Sequence, residues 1–331
     1  MLASLSRTRL ATLPTELEPL PRLGEHLGIG LYIKRDDNTG LALGGNKARK
    51  LEFLLGDAQE LGADVLITTG GPQSNHCRMT AAAAAKGGLG CHLVFSSAAI
   101  TERQGNLFLG ELLGATLHFA GTDEPQVVAG KMEEVAKDLR ATGKRPYIIP
   151  LGGSNPIGAV GYIAGIEEIS KQCVPMGIAF DYIVHASGSA GTQAGLLAGV
   201  KAYDLPISII GISVSRPRER LAREVYELCQ GTLLHAGIAR EIVQSDIVVY
   251  DEYVGAGYGM PTEASRAALA TFATMEGVII DPVYTAKGAA GLIDLVVSRG
   301  VIPRGAKVLF WHTGGTPALF ADPTVHWRAK S

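Results

Sequence analysis

The sequence predicts an α/β protein in which largely parallel sheets are flanked by helices. Between residues 31 and 311, short apolar runs alternate with segments of helical periodicity, which is the pattern of strand–helix–strand units. Glycine is frequent, at 42 of 331 residues, and many glycines follow the apolar runs. Because ligands bind at the carboxyl ends of parallel strands, this placement favours ligand-binding loops.

Composition excludes several classes of protein. The chain is long enough for a large core and for two lobes around a cleft. Hydrophobic residues make up 47% and charged residues 19%, as in ordinary globular proteins. A net charge of -2 without a long Lys/Arg run argues against nucleic acid as a partner. The four cysteines lack the spacing of metal ligands, so no metal site is predicted.

The sequence also predicts where the protein works. Residues 1–15 carry arginines but lack the apolar core of a secretory signal. No segment has 18 uninterrupted apolar residues, the length that would indicate a membrane span. We therefore expect a reduced, cytoplasmic protein with a small-molecule partner and no membrane partner.

The predicted elements alternate along the first half of the chain. Strands are expected at 31–34, 64–68, 91–95, 116–119 and 147–149. Helices are expected from 47 to about 61, at 74–85, near 107–113 and near 125–139, with another beginning after 155. The first helix carries apolar residues at Leu51, Leu54, Leu55, Ala58 and Leu61, the spacing of one buried face.

The pattern restarts at Asp181. Strands are expected at 182–185, 207–214 and 307–311, and an apolar run at 278–280 leads into the turn 281–285. Helices are expected at 193–203, near 218–229, near 261–275 and up to 297. No internal repeat or linker is visible, and composition marks no domain boundary.

The start of the first predicted helix breaks a local rule. Asn46 is predicted to be the N-cap, after a flexible glycine pair. Lys47, Arg49 and Lys50 then put three cations in the first turn, where the helix dipole favours anions. The cluster indicates either a bound anion or a partly neutral, nucleophilic lysine. A solvated basic turn is an equally weighted alternative.

Two strand-to-helix junctions are candidate anion sites. The turn 187–192 presents backbone N–H groups and hydroxyls, and its glycines do not follow a dinucleotide or P-loop pattern. A single phosphate fits such a turn better, although a purely structural turn remains open. Ser74, Asn75 and His76 form the second junction, which suits a carboxylate or is simply a helix cap. Tyr258 and Tyr284 lie in predicted loops, where binding groups are common.

Together these stretches are far more specific than any one alone. From about Leu13 to Phe320 the chain resembles the pyridoxal-phosphate enzymes of the tryptophan-synthase-β fold type. Within them it is similar to the family that contains 1-aminocyclopropane-1-carboxylate deaminase, D-cysteine desulfhydrase and L-cysteate sulfo-lyase. The matching stretches are 34–37, 44–52, 73–76, 188–192, 257–259, 281–284 and 312–315.

The resemblance implies roles for the candidate residues. Lys47 would form the Schiff base with pyridoxal 5'-phosphate, and Asn75 would hydrogen-bond the 3-oxygen of its ring. Ser74 and the neighbouring groups of Asn75 and His76 would bind the substrate carboxylate. Tyr258 and Tyr284 would border the reacting carbons, and with Lys47 and Ser74 they are the predicted catalytic residues. The predicted phosphate and cofactor contacts are Gly188, Ser189, Ala190, Gly191, Thr192 and Thr313.

The resemblance also implies an architecture. It is that of pyridoxal-phosphate fold type II, with two domains that each contain a largely parallel twisted sheet flanked by helices. Residues 1–50 and 160–331 would form the large, cofactor-binding domain, and residues 51–159 the small one. Homodimers are usual in this family.

Two departures from the family pattern bear on the substrate. The cyclopropane deaminases have a glutamate directly after the tyrosine that matches Tyr284, where it approaches the pyridine nitrogen; here the residue is Thr285. They also have a leucine where this chain has Thr313. A threonine hydroxyl at the nitrogen stabilises a pyridinium less than a carboxylate does, which indicates a milder electron sink. Such a sink suffices for β-elimination from an amino acid with a Cα proton.

The sequence therefore favours α,β-elimination of D-cysteine to pyruvate, hydrogen sulfide and ammonia. L-cysteate sulfo-lyase is the nearest alternative, and it requires a cation such as Arg78 to reach the sulfonate. Cyclopropane deamination follows. A non-catalytic pyridoxal-phosphate-binding protein is the alternative from another class. A nicotinamide-dependent dehydrogenase is weaker because its fingerprint is missing.

Overall fold

The computed structural model describes residues 2–321, so Met1 and the last ten residues of the expected large domain lie outside the described part. The strands are β1 (Leu17–Pro19), β2 (Gly30–Arg35), β3 (Val65–Gly70), β4 (Gly90–Phe95), β5 (Thr116–Phe119), β6 (Pro146–Ile148), β7 (Tyr182–Ser187), β8 (Ser208–Ser213), β9 (Val248–Tyr250) and β10 (Lys307–His312). The helices are α1 (Pro21–Leu27), α2 (Lys47–Glu60), α3 (Asn75–Gly87), α4 (Gly105–Leu112), α5 (Pro125–Ala141), α6 (Pro156–Met176), α7 (Gly191–Ala202), α8 (Arg218–His235), α9 (Glu263–Glu276) and α10 (Thr285–Val297).

The strands form two sheets. One has six strands in the order β1-β2-β10-β7-β8-β9, and the other has four in the order β5-β4-β3-β6. Only the β1–β2 pair is antiparallel among the pairings described. The predicted α/β fold class with largely parallel sheets is therefore confirmed.

Each sheet has a hydrophobic core on both faces. In β7, Ile183 packs into one cluster and the adjacent Val184 into another. In β3, Leu66 and Ile67 divide between two further clusters in the same way. Successive strand residues point to opposite faces, so a strand covered by helices on both sides is apolar throughout. This arrangement explains why the strands appear in the sequence as continuous apolar runs.

The carboxyl ends of the central strands carry the predicted site segments. β3 ends at Gly70 ahead of the Ser74–His76 junction, and β7 ends at Ser187 ahead of the glycine-rich turn. β2 leads through an irregular segment into α2, whose first residue is Lys47. Open parallel sheets bind ligands outside these ends. The topology therefore brings residues that are distant in sequence to one cleft.

No helix within residues 2–321 is long and apolar enough to span a membrane. All four cysteines, at positions 77, 91, 173 and 229, are free thiols.

Helices α2 and α6 pack closely because Gly161 has no side chain. A Cβ atom at Gly161 would lie 2.3 Å from the carbonyl oxygen of Arg49, in the first turn of α2. The contact is with backbone, so neither helix can relieve it by changing a rotamer. Gly161 thus fixes the distance between α6 and the turn that carries Lys47.

Replacing Gly161 with alanine should destabilise the protein by about 1–3 kcal/mol, the usual cost of overpacking. Urea unfolding followed by circular dichroism would measure this. Gly130 in α5 is the matched control, because a Cβ there meets nothing within 4 Å. Gly130→Ala should stabilise by about 0.5–1 kcal/mol through helix propensity. Equal effects of the two substitutions would contradict the close-packing argument.

Candidate active site

A cavity of about 320 Å³ lies between the carboxyl edges of the two sheets. The predicted site residues that line it are Lys47, Ser74, Asn75, His76, Gly188, Ser189, Ala190, Thr192, Tyr258, Tyr284 and Thr313. Gly191 is not among the lining residues; its N–H donates to the Ser189 carbonyl at 2.8 Å. The structure therefore gathers nearly all the candidates in one place, and their chemical roles stay predictions.

Lys47 opens α2 after a tight turn. Gly44 has φ +68°, and a Cβ there would lie 1.7 Å from the Asp37 carbonyl oxygen, so only glycine fits. Asn46 precedes the helix as predicted, but the prediction that its side chain caps α2 is wrong. The Asn46 amide instead donates to Thr192 Oγ1 at 3.0 Å and so joins the helix start to the turn after β7. Burial lowers the pKa of Lys47 to about 8.

The alternative of a solvated basic turn is also wrong, because Arg49 and Lys50 are each only 1% exposed. Arg49 forms ion pairs with Asp36 and Glu168. Lys50 Nζ donates to the Gly152 carbonyl oxygen at 3.2 Å and to Ser154 Oγ at 3.3 Å. Lys50 thus remains without a carboxylate partner in the described part of the chain.

Lys50 lies directly behind the turn between β7 and α7. A Cβ at Gly191 would be 2.6 Å from Lys50 Nζ. In the same turn Ala190 has φ +66°, and Ser189 Oγ hydrogen-bonds Ser154 Oγ at 2.8 Å. The first N–H groups of α7 have no partner within the helix, and the helix dipole adds positive potential there. This combination of amides and a buried cation suits a phosphate.

The second junction begins with a capping serine. Ser74 Oγ accepts from the Cys77 N–H at 3.2 Å, so the helix-cap interpretation is confirmed. A Cβ at Gly70 would lie 2.5 Å from Ser74 Oγ, which explains the glycine at the end of β3. The Ser74 hydroxyl can still donate its proton, because a hydroxyl both accepts and donates. Capping and carboxylate binding are therefore compatible.

His76 is held as a neutral imidazole. Its Nε2 lies 2.8 Å from Thr68 Oγ1, whose own proton is donated to the Ile149 carbonyl oxygen. Nε2 must therefore be the donor in the His76–Thr68 hydrogen bond. Burial, with the charges of Lys47 and Lys50, lowers the pKa of His76 well below its usual value.

The two predicted tyrosines form a pair at the cavity. Their hydroxyls are hydrogen-bonded, and their rings pack edge to face with centroids 5.9 Å apart. Burial raises the pKa of Tyr258 to about 12 and that of Tyr284 well above its usual value. Both phenols therefore keep their protons at neutral pH. One hydroxyl donates to the other, so the pair has one O–H left to donate to a group in the cavity.

The expectation that the Thr285 hydroxyl lies at the cofactor ring is wrong. Thr285 is fully buried, is absent from the cavity lining, and donates to Asp281 Oδ1 at 2.6 Å. The Asp281 N–H donates back to Thr285 Oγ1 at 2.7 Å. Thr313, the other departure from the deaminase pattern, does line the cavity.

Ser187, the first residue of the predicted turn 187–192, also lines the cavity. It is 2% exposed, and its hydroxyl has no hydrogen-bond partner among residues 2–321. Sequence reasoning missed Arg216, Arg220 and Asp123, which line the cavity as well. Arg216 and Arg220 follow β8, and both form ion pairs with Glu224. Arg78 is fully buried and does not line the cavity, so it is not placed to receive a sulfonate.

Within residues 2–321 no group of three or more His, Cys, Asp or Glu side chains could hold a metal ion.

Comparison with known proteins agrees with this geometry. Residues 8–314 match the family described as "Pyridoxal-phosphate dependent enzyme". A D-cysteine desulfhydrase of Klebsiella pneumoniae is 44% identical over 320 residues, which cover 95% of each chain. One from Salmonella choleraesuis is 43% identical over 321 residues, with the same coverage of 95% of each chain.

The fold comparison leads to the same group. A crystal structure described as an ACC deaminase homologue superposes with a TM-score of 0.89 at 39% identity. The alignment covers 97% of this chain and 95% of the other. The fold expected from the resemblance is thus confirmed, and the family match spans most of the sequence. The chain belongs to the family of pyridoxal-phosphate dependent enzymes.

Proposed function

We propose that this protein is a D-cysteine desulfhydrase, which converts D-cysteine and water to pyruvate, hydrogen sulfide and ammonia. The observation that carries the proposal is a half-buried lysine with a lowered pKa, Lys47, in one cavity with the glycine-rich turn 188–192 and a pair of protonated tyrosines. The near-full-length similarity to D-cysteine desulfhydrases supports it.

The cavity residues fit pyridoxal 5'-phosphate. Lys47 lines the cavity, and the buried Lys50 and Arg78 donate to the lining residues Gly152 and Asn75 from behind. None of these three basic side chains forms an ion pair with a carboxylate in residues 2–321. Uncompensated buried charge is costly, so the arrangement favours binding of an anionic group. The Ser187 hydroxyl, which has no partner among residues 2–321, adds a donor at the start of the turn after β7. When bound, the cofactor supplies the electron sink that makes the substrate Cα proton acidic.

The chain's own residues supply the remaining functions. We assign the phosphate to the turn 188–192 with Lys50 behind it, and the covalent link to Lys47. The Ser74 hydroxyl and the adjacent N-terminal amides of α3 would bind the substrate carboxylate. Removal of the Cα proton falls to Lys47 or to a tyrosine. Tyr258 and Tyr284, as hydrogen-bonded phenols, would donate a proton to the departing sulfur.

Positions 285 and 313 together favour elimination over cyclopropane opening. Position 285, where the deaminases have a glutamate, holds a buried threonine that does not line the cavity, and Thr313, a lining residue, is neutral. A carboxylate beside the ring nitrogen would give a stronger electron sink than these residues do. Loss of a thiolate from the β-carbon of an amino acid with a Cα proton needs less electron withdrawal than opening an unactivated ring. L-cysteate is the next candidate because it undergoes the same elimination.

A side-by-side assay tests the proposal. The purified, cofactor-loaded protein is incubated with D-cysteine, L-cysteate, D-serine and 1-aminocyclopropane-1-carboxylate, and sulfide, sulfite, ammonia and 2-oxo acids are measured. Sulfide and pyruvate from D-cysteine at the highest kcat/KM are expected. Sulfite without sulfide would indicate a sulfo-lyase instead. Normal cofactor absorbance with no product from any substrate would indicate a non-catalytic binding protein.

The lowered pKa of Lys47 predicts its reactivity. Only the neutral amine is nucleophilic, so the protein freed of cofactor should react with an amine-specific ester at Lys47 at a rate that rises with pH and levels off above about pH 8. Free N-acetyl-lysine should keep gaining rate up to about pH 10.5. Peptide mass spectrometry at a series of pH values gives both rates. A Lys47 rate that still rises steeply at pH 10 would contradict the prediction.

We further propose a homodimer, as is usual in the family. Phe108 and Leu112, one turn apart on α4, are 46% and 66% exposed, which supports an apolar contact surface. Light scattering should give twice the chain mass of 34.7 kDa. The free thiols are consistent with the reducing cytoplasm, which we propose as the location.

We also propose the domain limits 1–50 with 160–331 and 51–159. Strands β3 to β6 all belong to the four-stranded sheet, and the other strands belong to the six-stranded sheet. The limits fall within α2 and α6, so these helices would connect the domains. Limited proteolysis of surface loops would test the division.

A further inference from the structure

Arg78 is a fully buried cation one turn into α3. Its Nη1 donates to Asn75 Oδ1 at 3.2 Å and to Asn106 Oδ1 at 2.8 Å, and its Nη2 donates to the Gly44 carbonyl oxygen at 2.6 Å. Its Nε has no partner among residues 2–321. Every acceptor around the guanidinium is therefore a neutral amide or carbonyl.

The charge of Arg78 has no counter-ion in the described structure. Burial lowers the pKa of Arg78 to about 10, so the side chain is still cationic at neutral pH. A buried cation without a carboxylate is costly to maintain unless an anion is nearby. Asn75, which accepts from Arg78, lines the cavity and so joins the guanidinium to it.

Asn75 is oriented by this arrangement. Its Oδ1 accepts from Arg78 and also from Asn106 Nδ2 at 3.0 Å. Asn106 is fixed in turn, because its Nδ2 donates to the Gln73 carbonyl oxygen at 2.9 Å and its N–H to Gln73 Oε1 at 2.9 Å. With its oxygen held on the protein side, Asn75 has only its N–H donors left for the cavity. A cation on the oxygen of an amide strengthens the N–H groups of that amide as donors.

We propose that Arg78 is a positioning residue which acts through Asn75: it fixes the Asn75 amide and supplies the positive charge that stabilises an anionic oxygen of the bound cofactor against Asn75. This inference rests on cofactor binding and not on D-cysteine as the substrate. Other titratable groups close to the cavity are Lys47, Lys50, His76, Cys77, Tyr258 and Tyr284. The charged side chains of Asp123, Arg216 and Arg220 also line it.

The test compares Arg78→Gln, which keeps a hydrogen-bond donor but removes the charge, with Arg78→Lys, which keeps the charge. Asn106→Ala is the control that removes the other hydrogen bond to Asn75 Oδ1, and one acceptor of Arg78, without changing charge. The visible absorbance of each cofactor-loaded variant is titrated from pH 6 to 10 without substrate. A nearby cation favours loss of a proton from the bound chromophore, so its removal should raise the midpoint.

Arg78→Gln should raise the midpoint by about one pH unit, as expected for the loss of a nearby charge. Arg78→Lys and Asn106→Ala should stay within about 0.3 of a unit of the wild type. An unchanged midpoint in Arg78→Gln, or equal shifts in the Gln and Lys variants, would overturn the proposal. If Arg78→Gln does not fold, Arg78→Lys decides the test. A change of a full pH unit in the midpoint of Arg78→Lys overturns the proposal, and a midpoint equal to that of the wild type supports it.

Cofactor affinity is a second measurement, and it tests the role of Arg78 even if the absorbance does not change between pH 6 and 10. Arg78→Gln should bind pyridoxal 5'-phosphate about tenfold more weakly, and Arg78→Lys within about threefold of the wild type. An equal loss in both variants would indicate a merely structural role. Failure of the proposed substrate would appear differently, as absent sulfide release by a wild-type protein whose spectrum and affinity are normal.

Discussion

Replacement of Lys47 by alanine is expected to abolish both turnover and the visible absorbance band that arises from the covalent link between the cofactor and Lys47. Lys47 is the lysine that lines the cavity beside the turn 188–192, and its lowered pKa makes the neutral amine accessible near neutral pH. A covalent nucleophile that also serves as a proton carrier contributes on the order of 10⁴-fold or more to the rate. Sulfide release and the absorbance spectrum measure the two losses.

Two further variants make this result specific. Lys47→Arg keeps the positive charge but removes the nucleophilic amine, so it should be as inactive as Lys47→Ala. Lys137→Ala removes an exposed lysine on α5 and should change neither turnover nor spectrum. Substantial activity in Lys47→Arg would show that position 47 contributes only charge and would remove the basis of the proposed function.

The sequence predicted the part of the site that depends on local chemistry. The cations after Gly44-Gly45 violate the dipole preference within a single turn, and the turn 187–192 follows a strand directly. Both features are contained in a few consecutive residues. The α/β fold class was equally accessible, because strands buried on both faces are apolar throughout.

The remainder depends on contacts between distant residues. The side-chain amide of Asn46 does not cap α2 but donates to Thr192, which lies 146 residues later in the chain. Arg49 is neutralised by Glu168, which is separated from it by 119 residues. Thr285 turns back onto Asp281 because the carboxylate needs donors in a fully buried position. Spacing along the chain contains none of these pairings.

Two of the three-residue strands, β1 and β9, were missed for a related reason, whereas the third, β6, was predicted. β1 and β9 have three residues each, at the two edges of the six-stranded sheet. β1 contributes Leu17, Glu18 and Pro19, and an edge strand tolerates such polar residues and proline because one side remains unpaired. Their pairing partners β2 and β8 determine their conformation, and a three-residue window carries no periodicity.

Substitution of Asp36 by asparagine is expected to cause the largest loss of stability, about 3–5 kcal/mol at neutral pH. Asp36 is fully buried, and its carboxylate accepts from Arg49, from Trp311 Nε1 at 2.7 Å and from the Tyr162 hydroxyl at 2.8 Å. Asparagine keeps the shape but removes the charge. Arg49 and the neighbouring buried Lys34 would then share the single carboxylate of Glu168. Urea unfolding gives the difference in free energy.

Glu167→Gln is the matched control on helix α6. Glu167 pairs with Lys171, which is 74% exposed, so its loss should cost less than about 1 kcal/mol. A similar cost for Asp36→Asn and Glu167→Gln would contradict the assignment of the buried network as a stabilising element.

The same network predicts a pH dependence. Burial alone would raise the pKa of Asp36, but the charge and hydrogen bonds of Arg49 hold it below its ordinary value. A carboxyl group with a lowered pKa in the folded state stabilises the protein above the pKa of the unfolded chain, about 3.9, and loses this contribution as the pH falls through the folded value. The difference in unfolding free energy between the wild type and Asp36→Asn should therefore become smaller below about pH 4.

The same substitution should affect the cofactor site. Because Arg49 lies in the first turn of α2, Asp36→Asn should retain the cofactor at Lys47 less well than the wild type at pH values where the chain is still folded.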